Sequence, residues 1–319
     1  MDQMQAKNVL RSSVESRRSS SYKKALIRKN IPLFIMLVIP LIFFLVFKYI
    51  PMFGTAIAFK DYQFNLGIWR SPWVGMQNFQ MIFRQKYMRQ IIINTVRLGI
   101  LGVVVPFPFP IILAIMLNEM QGNHLKKLTQ TILYLPHFIS WVVVSGMIIQ
   151  IFSSNGPINS LIKAVGGNEK DFLYREASWT AIYLGSGIWK EMGFNAIVYL
   201  AALTAIDPGY YEAAKIDGAT KLQQIIKITI PSIMPTVVLM LILASGRVMS
   251  VGFDRIYVLR NAAVSSTSSV VSTFVYEMGV RGGEFSITTA MGLFDSVVNL
   301  MLISSANALS KQYSNSSIF

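Results

Sequence analysis

"DPGYYEAAKIDGATKLQQIIKITIPSIMP", residues 207–235, is a polar, charge-dotted segment set between two long apolar runs. Asp207-Pro208 reads as a helix start: an N-capping side chain, then proline at the first helical position, where its missing N–H would be unsatisfied anyway. Tyr211, Ala214, Gly218, Leu222 and Ile225 follow at helical spacing and mark one face. Gly218 permits a break or a close approach. Thr220-Lys-Leu-Gln223 has the S/T-x-x-E/Q form of a capping box and starts a second helix. Pro231 and Pro235 are expected to close that helix before the next apolar run. A short helix–turn–helix is expected here, with Glu212, Lys215 and Asp217 around an apolar, small-residue face. On periodicity alone, a helix resting on lipid fits as well as a docking element.

The surroundings decide the class. The chain of 319 residues is 53% hydrophobic and 14% charged, with a mean hydropathy of +0.49, whereas soluble domains run near 25% charged. Six apolar runs each approach or exceed the roughly 18–20 residues that a spanning helix needs. They are Ile31–Phe47, Ile91–Leu117, Ile132–Phe152, Trp179–Leu203, Ile233–Val251 and Phe285–Ile303. The expected fold is an all-α membrane protein of six transmembrane helices, with the quoted device between the fourth and fifth. The first run is expected to continue past Lys48, whose amine can snorkel to the interface. Residues 1–30 are basic and Ser-rich, and Pro32 and Pro40 follow without a small-residue cleavage site, so the run reads as a retained anchor.

Several chemistries are excluded. Cysteine is absent, which removes disulfides and thiol catalysis. His124 and His137 are too few for a histidine-built metal centre, and no metal site is expected. There is no GxxxxGK[ST] phosphate loop and no nucleophile elbow. A membrane-bound enzyme therefore lacks a candidate constellation. An ion-gradient-driven secondary transporter of a small solute is the alternative, but its usual internal repeats are not visible.

Lys/Arg bias sets orientation. The N-terminal tail carries eight cations against two acids, so it is placed in the cytoplasm. Six spans return the C-terminus there as well. The quoted stretch, with Lys215, Lys221 and Lys227, then faces inward. The segments left outside, 48–90, 153–178 and 252–284, hold twelve cations against seven acids. A field of that sign attracts an anionic solute and does nothing for a neutral one.

"EAAKIDGATKLQQIIKITIP" resembles the EAA loop of binding-protein-dependent (type I) ABC importer permeases: Glu-Ala-Ala, three residues, Gly, nine residues, Ile-x-Leu-Pro. Here Glu212-Ala213-Ala214, Gly218 and Ile228-x-Ile230-Pro231 stand at those spacings, with Ile in place of Leu. "FKYIPMFGTAIAFKDY", "SPWVGMQNFQMIF", "ILYLPHFIS" and "TFVYEMG" are similar to the oligosaccharide and polysaccharide branch of that family, and within it to alginate-importing permeases. The resemblance implies a coupling helix seated in a groove of a cytoplasmic ATPase, formed by Glu212, Ala213, Ala214, Asp217, Gly218, Ile228 and Pro231. It also implies two ATPase subunits that bind ATP and magnesium, a second, non-identical permease, and an external solute-binding protein. This chain itself would hold no cofactor and bind no nucleic acid. The expected location is the bacterial cytoplasmic (inner) membrane. The implied organisation is a tail over 1–30, a permease domain over 31–306 and a tail over 307–319. Within the permease domain lie an external loop, 48–90, and a coupling loop, 204–231.

Five ionisable residues fall inside the predicted spans: Arg97, Lys190, Glu191, Arg247 and Asp295. Charges there cost about 2.5–3.5 kcal/mol or more, so they are expected to face protein or water. Lys190 and Glu191, adjacent and about 100° apart on a helix, are not expected to pair. Arg97, Lys190, Arg247 and Asp295, with Asn94, Trp189, Asn195 and Tyr199, are the candidate substrate path for an oligosaccharide, anionic and uronate-like. Snorkelling explains the two arginines equally well, and bundle hydrogen bonding explains the amides. His124 and His137 are expected to have no chemical role. Pro106, Pro108 and Pro110 should break or kink the second span.

Overall fold

The computed structural model describes residues 29–314, and side chains as far as residue 308. The expected N-terminal tail, 1–30, lies largely outside the described residues, whereas the expected C-terminal tail, 307–319, is helical as far as Ser314. Among those described, the secondary structure is helical, with one isolated bridge between Lys60 and Trp73. The chain falls into two units, up to Ala56 and from Ile57 onward.

The first unit holds most of α1, Lys29–Phe59. Every side chain from Ile31 to Phe53 is exposed. Such a helix, apolar all round, is stable where lipid or another apolar surface covers it. It runs past Lys48 as expected, and so takes the first twelve residues of the expected external loop into the helix.

The second unit contains α2 (Gln77–Arg84), α3 (Lys86–Val104), α4 (Pro108–Glu119), α5 (Asn123–Tyr134), α6 (Trp141–Phe152) and α7 (Pro157–Ala164). It continues with α8 (Glu176–Thr204), α9 (Pro208–Ile216), the single turn α10 (Lys221–Gln224), α11 (Ile230–Ser245), α12 (Phe253–Leu259) and α13 (Phe285–Ser314). The regular helix is interrupted between α3 and α4 over residues 105–107, at Pro106, with Pro108 and Pro110 in the first turn of α4. Pro106 and Pro108 have no N–H to donate, so the ladder cannot pass through unbroken.

Among the described residues, five helices are long and apolar enough to cross a membrane: Lys29–Phe59, Lys86–Glu119, Trp141–Ala164, Lys221–Ser245 and Phe285–Ala308. The remaining expected span, Trp179–Leu203, lies wholly within the 29-residue α8, which is long enough but less apolar. Lys190 and Glu191 at its middle dilute it.

Three apolar clusters tie the second unit together. Leu98, Val144, Ile148, Trp179, Tyr183, Val251 and Ile256 join α3, α6, α8 and α12. The Trp179 indole N–H donates to Leu259 O at 3.0 Å, which satisfies its polar edge inside that cluster. Ile82, Met88, Ile91, Phe274, Ile287 and Met291 join α2, α3 and α13. Ala114, Ala196, Tyr199, Leu203 and Ile233 join α4, α8 and α11.

Lys60 is buried and donates from Nζ to Trp69 O at 3.1 Å and Ser71 O at 3.3 Å, closing the loop between α1 and α2. Trp73 stacks on Phe59 at 5.7 Å between centroids, and Phe79 leans on the same ring at 5.3 Å. Phe79 packs, while Trp73 stacks on one face and, like Trp69, stays exposed.

Candidate functional site

Two regions carry the expected functional residues. The first is the quoted segment. Asp207 Oδ1 accepts from Gly209 N at 2.8 Å and Pro208 opens α9, so the expected cap is present. Gly218 ends the helix at φ +74°, where residues with a Cβ are strained. Ala219 N then donates back to Ala214 O at 2.9 Å. The capping box closes with Thr220 N donating to Gln223 Oε1 at 2.7 Å and Gln223 N donating to Thr220 Oγ1 at 3.4 Å.

The prolines do not end the second helix, as the spacing had suggested. A wide π turn over Ile225–Thr229 leads from α10 directly into α11, with Pro231 in its first turn and Pro235 inside it. The wide turn bonds Ile230 N to Ile225 O, five residues back, which already displaces the ladder that Pro231 would interrupt. Tyr211 Oη and Thr229 Oγ1 lie 3.0 Å apart, fastening α9 to this turn. Lys221 Nζ reaches Glu119 Oε2 at 2.6 Å, fastening α10 to the end of α4.

The exposed side of this joint carries Glu212, Ala213, Ile216, Asp217, Gly218 and Leu222, while Tyr211, Ala214, Ile225 and Ile228 turn inward. Gly218 and Leu222 are thus not on the inward face with Tyr211 and Ala214. The turn at Gly218 resets the helical phase between them. Among the described residues Glu212 makes no ion pair. The result is an exposed surface on which Ala213 and Gly218 stand among Ile216 and Leu222 beside a carboxylate without an ion pair, tied to its neighbours by two side-chain contacts.

The second region is a cavity of about 500 Å³ between α3, α4, α8, α11 and α12. Its wall includes Trp141, Tyr183, Gly187, Glu191, Asn195, Tyr199, Arg247 and Arg255. Three of the expected path residues, Asn195, Tyr199 and Arg247, line this cavity. Gly187, Glu191, Asn195 and Tyr199 recur every four residues on α8, a signal that was available in the sequence and overlooked. Arg255 was also missed.

The other expected path residues lie elsewhere. Asn94 is buried and donates from Nδ2 to Ser266 O at 2.8 Å and Ser269 O at 3.0 Å, so its amide holds a loop to α3. Arg97 makes no ion pair among the described residues and lies near the Glu176 carboxyl, which Ser266 engages. The hydroxyls of Ser266 and Thr267 hold that carboxyl below its usual range, and Arg97 adds a smaller pull. Trp189 is exposed away from the cavity. Asp295 sits in α13 with Oδ1 buried and unpartnered.

Lys190 and Glu191 do pair, against expectation. Lys190 Nζ lies 3.2 Å from Glu191 Oε1 and donates to His137 O at 2.6 Å. The Cα–Cβ directions diverge, but the four-carbon stem of Lys190 bends its buried amine back across the gap. Glu191 Oε2 also meets His137 Nδ1 at 2.7 Å, and the His137 ring stacks on Phe194 at 3.8 Å. His137 therefore has a defined role in fixing the cavity carboxylate.

Residues 106–313 match the family described as "Binding-protein-dependent transport system inner membrane component". The polygalacturonan/rhamnogalacturonan transport system permease protein YteP of Bacillus subtilis (strain 168) is 41% identical over 288 residues, 90% of each chain. Protein LplB of the same organism is 38% identical over 297 residues, 92% of this chain and 93% of that protein. A solved bacterial ABC transporter involved in the import of the acidic polysaccharide alginate has a chain 39% identical, with a TM-score of 0.84, covering 90% of this chain and 98% of that one. The bacterial alginate transporter solved in complex with an alginate pentasaccharide-bound periplasmic protein gives 38% identity and a TM-score of 0.84, over 92% of this chain and 98% of that one. The chain belongs to the family of binding-protein-dependent transport system inner membrane components and is a transmembrane subunit of an ABC importer.

Proposed function

We propose that this permease passes an anionic oligosaccharide of the uronate class across the bacterial inner membrane by alternating access. Two partner ATPase subunits bind ATP and magnesium and hydrolyse the nucleotide. A second, non-identical permease completes the path, and an external solute-binding protein delivers the sugar. The termini and the α9–α10 joint face the cytoplasm, in keeping with the Lys/Arg bias of the tail and of the joint.

The observation that carries the reading is the joint itself. Ala213 and Gly218 allow a partner close approach, and Glu212 offers an unpaired carboxylate to a basic group. The π turn makes the second half of the joint one helix with α11, so displacement there is passed into the membrane rather than absorbed in a loop. For the substrate, one relative is named for polygalacturonan and rhamnogalacturonan and one solved neighbour for the acidic polysaccharide alginate. The cation excess of this chain's expected outer segments agrees with a substrate of that charge.

Purification of the chain from its native membrane, followed by reconstitution, tests the proposal. Co-eluting ATPase subunits and ATP hydrolysis stimulated by uronate oligomers with their binding protein are expected. Absence of an ATPase partner, or stimulation by neutral sugars alone, would overturn it.

A further inference from the structure

The Arg255 guanidinium is held in an unusual way. Its centre lies 3.5 Å from the Tyr183 ring and 4.6 Å from the Trp141 ring. Aromatic rings attract a cation through their faces, so they can fix the group without consuming its in-plane N–H donors. Among the described residues no carboxylate pairs with Arg255. Arg255 is half-buried, whereas the buried Lys60 is spent on two backbone carbonyls. Lys190 also lies over the Trp141 ring, at 5.1 Å, but its amine is spent on His137 O and Glu191.

Room for the group comes from Gly187. A Cβ at that position would overlap Arg255 Nη1. The guanidinium therefore occupies space that only glycine leaves open, and it lies on the cavity wall with Arg247. Arg247 is exposed and likewise has no ion pair among the described residues. The one cavity carboxylate, Glu191, is engaged by His137 and Lys190. Arginine stays charged at any accessible pH. Two permanent cations with open donors, inside a cavity of ligand size, call for an oxyanion.

We propose that Arg255, clamped by Trp141 and Tyr183 and seated against Gly187, is the specificity-determining residue that binds a carboxylate of the passing sugar, with Arg247 supplying a second cation to the same site. This rests on the uronate reading above and goes beyond it by assigning a carboxylate subsite on the cavity wall. The planar fork matches a carboxylate with two parallel hydrogen bonds. The rings fix its orientation before the sugar arrives.

The test uses the assembled transporter in liposomes with its binding protein. Uptake of a galacturonate trimer is compared with that of its carboxyl-reduced counterpart, the galactose trimer, and the readout is their ratio. Wild type should favour the uronate. Arg255→Gln should lower the ratio by about tenfold or more, the scale of a lost hydrogen-bonded charge contact. Gly187→Ala, which displaces the guanidinium without removing it, should lower the ratio too. Arg255→Lys should restore it only in part, because an ammonium lacks the fork. A merely structural role would depress both sugars in step and leave the ratio unchanged, which would overturn the assignment while the uronate reading stands. A wild-type transporter that takes both sugars alike, or neither, overturns the uronate reading and this inference with it.

Discussion

Gly99 on α3 faces the backbone carbonyl of Val248 so closely that a Cβ on Gly99 would overlap that oxygen. The two segments meet backbone to backbone beside the cavity wall. Gly99→Ala is expected to destabilise the second unit by about 1–3 kcal/mol, the usual scale for overpacking. Gly146 in α6, where a Cβ would meet nothing within 4 Å, serves as the control. Thermal unfolding in detergent should show a lowered midpoint for Gly99→Ala and none for Gly146→Ala.

Coupling should fail by bulk before it fails by charge. Ala213→Arg and Gly218→Leu are expected to leave the chain inserted but weaken retention of the ATPase subunits on an affinity column. Gly218→Leu carries an added backbone cost of about 1–2 kcal/mol, since its φ is +74°. Ala213→Arg, on a regular helix, isolates the effect of size. Glu212→Ala should reduce transport more than assembly. Wild-type transport by Gly218→Leu would remove the docking role.

The segment after α12 should carry an acid-sensitive tie. Arg260 Nη1 donates to Glu277 Oε2 at 3.0 Å, Nη2 bonds the other oxygen, and Arg260 also lies 4.6 Å from the Tyr257 ring. The guanidinium hydrogen bonds hold the Glu277 carboxyl below its ordinary value of 4.5. A carboxyl lowered in the folded state contributes stability above its unfolded value and loses it as pH falls through the lower, folded one. The pair is partly exposed, so its effect should stay under about 1 kcal/mol. Protection of the amides across residues 260–280, taken relative to the intrinsic exchange rate at each pH, should fall by a few-fold as pH drops below 4.5 in the wild type. In Glu277→Gln it should be lowered by a similar factor above pH 4.5 and show no such further fall.

Topology can be tested cleanly because the chain has no native cysteine. Single cysteines at Gln121 or Thr220 should react only from the cytoplasm, as should one at Ser19, which lies outside the described residues. Those at Asn65 or Asn168 should react only from outside. Reversed labelling at any two of these positions would sink the six-span arrangement.

What could be read from the sequence follows from range. Caps act over three residues, so Asp207, Pro208, Thr220 and Gln223 announce their helix starts locally, and each start is where the spelling puts it. Five of the six expected spans can be read from composition, while the charged pair in α8 dilutes the other. Faces are harder. Asn94 and Arg97 share α3 with Leu98 and Gly99, yet only the latter pair reaches the cavity, because orientation around the axis is set by tertiary packing. Arg255 was invisible for the same reason. Its neighbours Asp254 and Ile256 give no hint of the two aromatic rings that clamp it from α6 and α8.

The continuous helix from Lys221 to Ser245 is also a lever. Its 25 residues span about 37 Å at about 1.5 Å per residue. One end is pinned to Glu119 by Lys221, and the far half brings Met240, Leu243 and Ala244 to the cavity, with Arg247 just beyond. A tilt of about 5° about the pinned end would carry the far end through about 3 Å. That is roughly one hydrogen-bond length, enough to bring the Arg247 donors onto a ligand or take them off it. The tilt needed to move Arg247 on or off a ligand is therefore small.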